Sequence, residues 1–78
     1  MDTTETPAVI TARRAVEEAA SKLRTIQSGI AFARANPAEV SKAEVADLLI
    51  QSNATCVLVE KLVRIYDRAV ARAERNAR

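Results

Sequence analysis

Apolar side chains recur along the first half of the chain at alternating steps of three and four: Val9, Ala12, Val16, Ala19, Leu23, Ile26, Ile30 and Ala33. That period puts them in one stripe down a helix, the seam of a coiled coil with a single neighbour. From Val45 to Ala73 the pattern changes. Val45, Leu48, Leu49, Cys56, Leu58, Val59, Leu62, Val63, Ile65, Tyr66, Ala69 and Val70 fill an arc of about 200° on a helix that advances roughly 100° per residue. A stripe facing one neighbour needs about half of that arc. The excess resolves into two seams. One runs through Val45, Leu49, Ser52, Cys56, Val59, Val63, Tyr66, Val70 and Ala73, and the other through Leu48, Thr55, Leu58, Leu62, Ile65 and Ala69.

Helix-breaking residues set the ends. Thr6-Pro7 reads as an N-cap followed by a first helical position, where the missing N–H of proline costs nothing. Asn36-Pro37 ends this helix, because the residue before a proline is pushed out of the α region, and Asn36 can cap a short turn through Glu39. Ser41-Lys42-Ala43-Glu44 is a capping box, in which the serine hydroxyl and the glutamate carboxylate each take an orphan amide of the next helix. The pattern therefore predicts a loose tail over 1–5 and a single domain over 6–78, with helices at 7–35 and 42–76 and a corner at 36–41. At ~1.5 Å per residue the helices are about 43 and 52 Å long, and so short a corner folds them back antiparallel. Leu23 and Ile26 then fall opposite Ser52, Thr55 and Cys56, large against small.

Composition agrees with an all-α chain: one glycine, two prolines and 49% hydrophobic residues leave little for turns. It also bears on assembly. A chain of 78 residues buries only about 60% of its unfolded surface, and small scaffolds usually add disulfides, a metal or oligomerisation. Cys56 is alone and there is no histidine, so an internal disulfide and a Cys/His zinc site are excluded. Oligomerisation remains. The predicted fold is an antiparallel two-helix hairpin that dimerises into a four-helix bundle, with Leu48, Thr55, Leu58, Leu62, Ile65 and Ala69 as the dimer interface. Charge interrupts every apolar stretch short of a membrane span, and MDTTETP lacks a signal-peptide layout. A soluble, cytoplasmic protein without membrane contact is expected.

Candidate chemistry is sparse. Without histidine there is no imidazole base, and the solitary Gly29 makes no phosphate-cradling loop. Glu17 and Glu18 follow Arg13 and Arg14 by four residues, the spacing of surface ion pairs. Cys56 lies within an apolar seam with no base beside it, as a structural thiol does. The expectation is no enzyme, no catalytic residue, no metal, no cofactor and no small-molecule substrate.

Two features point to macromolecular partners. Ile50 and Val57, one heptad apart, project into the polar arc with Asn53, Lys61 and Arg64, as anchors of a helix-in-groove contact would. Phe32 sits on the outer side of the first helix and is expected to pack under the corner against Val40. Lys61, Arg64, Arg68, Arg72, Arg75 and Arg78 follow steps of three and four, a stripe matched to a phosphate backbone. Glu60, Asp67 and Glu74 interrupt its field, and no aromatic platform exists for stacking bases. The leading expectation is a homodimer that binds an as yet unidentified partner protein as a regulator, inhibitor or adaptor. The alternative is a nucleic-acid-binding homodimer that uses the basic stripe.

Overall fold

A computed structural model describes residues 5–77, so residues 1–4 of the predicted tail and Arg78 of the basic stripe lie outside the described residues. Two helices make up the fold, α1 over Pro7–Ala35 and α2 over Lys42–Asn76. Their ends are held by the residues that interrupt the pattern. Thr6 Oγ1 accepts the Val9 N–H at 3.3 Å, and Ser41 Oγ accepts the Glu44 N–H at 3.2 Å, each satisfying one donor that a helix start leaves free. At the corner Asn36 acts differently from expectation. Its side-chain amide turns back and donates to the Phe32 carbonyl at 3.0 Å, closing α1, while its backbone carbonyl accepts the Glu39 N–H at 3.0 Å.

The helices run antiparallel. Gly29 lies against Leu48 and Pro7 and Ala8 lie beside Ala69 and Ala73, so residues at one level have numbers that add to about 77. This register brings Leu23 and Ile26 level with the Ser52–Thr55 segment, and Ile26 and Thr55 are both buried. On α1 the buried stripe is the one its spacing describes: Val9, Ala12, Ala19, Ile26, Ile30 and Ala33 are buried, with Val16 and Leu23 half-buried between them.

On α2 the contact follows neither predicted seam. Val45, Leu48, Ser52, Thr55, Val59, Leu62, Tyr66, Ala69 and Ala73 are buried or half-buried at steps of three and four, and they draw alternately on both. The reason is geometric. A three–four stripe on α1 is complemented by a three–four stripe on its neighbour, and that stripe passes through Ser52 and Thr55, which hydropathy ranks below their apolar flanks. Thr55 tolerates burial because its hydroxyl donates to the Gln51 carbonyl at 2.7 Å. Leu48, Thr55, Leu62 and Ala69, predicted to meet a second chain, thus face α1 of their own chain.

The resulting core is thin. Of its seven buried apolar residues only Val9, Ile26 and Ile30 are larger than alanine. The chain keeps 5996 Å² accessible, against about 4,700 Å² for a compact monomer of 8.5 kDa.

Candidate interaction surface

The hairpin seam leaves aliphatic side chains exposed on both of its flanks along α2. Leu58 and Ile65, one heptad apart, stand on one side, and Leu49 and Val63 stand on the other with the half-buried Cys56 between them. Farther round lie Ile50 and Val57, the two most exposed of all at 66% and 63%. Most of these belong to a stretch with no charge at all, the twelve residues from Leu48 to Val59 between Asp47 and Glu60. Such a run on a helix with one covered face is unusual for surface that stays in water, where charged side chains normally break up apolar patches.

Of the six residues assigned to a dimer interface, Leu58 and Ile65 are accessible to a second molecule at 45% and 44% exposure, whereas Thr55 is 7% exposed within the hairpin. Leu62 and Ala69 are half-buried and line a groove at the open end of the hairpin, whose other wall is Pro7, Ala8, Thr11, Ala12 and Ala15. Those small residues of α1 carried no signal in the sequence beyond their spacing. Phe32 sits in a shallow depression with Val40 and Leu48, but it remains 53% exposed. The corner therefore covers only one side of its ring.

The electrostatics are simple. Among the described residues, the ion pair within 4 Å is that of Arg13 with Glu5, a bidentate contact with guanidinium–carboxylate distances of 2.7 and 2.9 Å. It replaces the expected pairing of Arg13 with Glu17 and ties Glu5, placed by the sequence in a loose tail, back onto α1. The hydrogen bond to Glu5 and the charge of its carboxylate push the Arg13 guanidinium up from its ordinary value. Lys61, Arg64, Arg68, Arg72 and Arg75 are all exposed and have no carboxylate within 4 Å among the described residues. Lys61, Arg68 and Arg75 form one row at seven-residue spacing, with Arg64 to one side. Arg72, to the other side, lines the open-end groove together with Arg68.

No group of three or more histidine, cysteine, aspartate or glutamate side chains suited to a metal occurs among the described residues, and no helix is long and apolar enough to cross a membrane. Compared with protein-family models, curated proteins and solved structures, the chain gives no match.

Proposed function

We propose that this chain is a non-catalytic protein-interaction module of the cytoplasm: a helical hairpin that pairs with itself into a four-helix bundle and binds a partner protein as a regulator, inhibitor or adaptor. One observation carries the reading. After the hairpin has formed, α2 still exposes Leu49, Ile50, Val57 and Leu58 within a stretch that holds no charge. Covering a Leu or Ile side chain is worth about 1.5–3 kcal/mol, so two covered flanks are favoured over one.

Self-association and partner binding use different faces of α2 in this reading. Leu58 and Ile65 serve the pair, and Ile50 and Val57 serve the partner. Light scattering at micromolar concentration should give about twice the chain mass of 8.5 kDa. Quantitative affinity capture from the native host, comparing the wild-type chain with Ile50→Ser/Val57→Ser, should show a protein retained by the first and lost by the second. Equal capture by both would refute the partner site.

A second reading rests on the five exposed cations that have no carboxylate within 4 Å among the described residues. On a phosphate backbone they would release counterions, so binding would fall steeply with salt. No retardation of DNA or RNA at low salt would remove this reading and leave the first intact.

A further inference from the structure

We propose that the two copies meet in one specific way: Ile65 of each chain enters a hole on α1 of the other, formed by Ala8, Thr11, Ala12 and Ala15. The proposal rests on the dimer reading above and names its face and its axis.

In knobs-into-holes packing a side chain of one helix fits between four residues of another, spaced i, i+3, i+4 and i+7. Ala8, Thr11, Ala12 and Ala15 have that spacing, and with Pro7, Leu62 and Ile65 they line a groove of about 490 Å³ on the Leu58–Ile65 flank of the seam. All four are small, and no charged side chain lines this stretch of the groove, while Arg68 and Arg72 line its continuation toward the helix ends. The groove has the volume to take an aliphatic side chain of ordinary size.

The register selects the knob. Facing residues add to about 77, as Gly29 and Leu48 do, so Ile65 stands level with residue 12, the middle of the hole. A two-fold axis parallel to the helices keeps every residue at its own height and lays α2 of the copy over α1. The partner's Ile65 then arrives at the hole with no sliding, and the same occurs at the symmetric position. A two-fold interface must be complementary to itself, and here knob and hole lie on one face of one chain at one height. One pair of rim charges is complementary. The partner's Lys61 comes level with residue 16, beside Glu18, and both are exposed side chains of opposite sign.

Area points the same way. The chain exposes about 1,300 Å² more than a compact monomer of its mass. Covering about 500 Å² of this excess on each chain would reach the roughly 1,000 Å² at which a specific interface begins.

The test is a mixing experiment under reducing conditions. Ala15→Leu fills the hole and Ile65→Ala removes the knob, so each variant alone should dimerise at least tenfold more weakly than wild type, with helicity retained. Mixed, they should form heterodimers well above the statistical half by native mass spectrometry. The heterodimer contains one wild-type contact and one in which the leucine introduced at position 15 meets the smaller side chain introduced at position 65 of the other chain. A rearrangement within one chain could not produce that preference. Thr11→Leu, at an exposed rim position, replaces Ala15→Leu if the latter unfolds. Statistical mixing, or dimers indifferent to these substitutions, would overturn this geometry and leave dimerisation standing. A monomeric wild-type chain at micromolar concentration would overturn both.

Discussion

Gly29 offers a test of the hairpin itself, because it sits in α1 without using what glycine provides. No glycine among the described residues has a positive φ, so an L side chain meets no backbone strain there. A glycine inside a helix costs about 0.8–1.0 kcal/mol relative to alanine. A Cβ built at Gly29 lies 3.5 Å from Leu48 Cδ2 and 3.7 Å from its Cδ1, ordinary contact distances at which each carbon pair adds about 0.1–0.2 kcal/mol. Gly29→Ala should therefore stabilise the fold by about 1 kcal/mol. In a domain of this size that raises Tm by about 4–8 °C. The assay is helical ellipticity followed in heat and in urea, at fixed protein concentration because a dimer melts at a concentration-dependent temperature. A lower midpoint in either would refute the reasoning. It would mean that something outside the single hairpin approaches the Gly29 backbone, and Gly29 stands in the same helical row as Ala8 and Ala15. The mass of the variant in solution is for that reason measured in parallel.

Thr55→Val keeps shape and loses only a hydroxyl that is satisfied within its own helix, so stability should change by less than about 1 kcal/mol. Thr55→Asp should unfold the chain by burying a charge; loss of dimer mass with full helicity would instead put Thr55 at a chain–chain interface. Ile50→Ser/Val57→Ser should preserve helicity and dimer mass and lower partner affinity by about 1 kcal/mol or more, read by titration calorimetry. If the basic stripe contacts duplex DNA, Arg68→Ala/Arg72→Ala should flatten the dependence of log affinity on log salt by about 1.8; an unchanged slope would exclude those two arginines.

Much of the fold was legible because each helix is bounded by residues with few alternatives. Thr6-Pro7, Asn36-Pro37 and Ser41 through Glu44 fix ends by steric exclusion and side-chain capping, which are local effects. The α1 stripe was legible for a related reason: the positions that flank it carry alanine, glycine or polar residues and no large aliphatic, so only one phase buries the large ones. On α2 that contrast is missing. Leu49, Cys56, Val63 and Val70 border the true seam on one side, and Leu58 and Ile65 border it on the other, while Ser52 and Thr55 occupy its middle. Hydropathy alone cannot find a stripe whose centre is more polar than its edges. The missing information was the partner stripe, which exists only once α1 is in place. Arg13 shows the same limit on a smaller scale. The i, i+4 rule points it to Glu17, whereas a carboxylate eight residues away, just before the helix, reaches its guanidinium.

The two flanks of α2 differ in what lies beside them, and this separates self-association from partner binding more sharply than hydropathy does. Beside Leu58 and Ile65, α1 presents alanines and a threonine at the open end, with Arg68 and Arg72 along the continuation of the groove, and a second copy can fill the alanine-lined part with its own isoleucine. Beside Leu49, α1 presents Gln27, Ala31 and Arg34, and Leu49 stands level with residue 28. The same two-fold operation applied on that side would press a leucine of the copy toward Gln27 and Arg34. Arg34 is exposed and has no carboxylate within 4 Å among the described residues, so covering it would strip water from an unpaired charge, at a cost of several kcal/mol. A partner of different sequence can bring a carboxylate to Arg34, which offsets part of that cost, and apolar side chains to Leu49. Arg34→Glu tests the division. It should leave dimer mass unchanged and weaken partner capture, whereas loss of the dimer would place self-association on this flank and reverse the assignment.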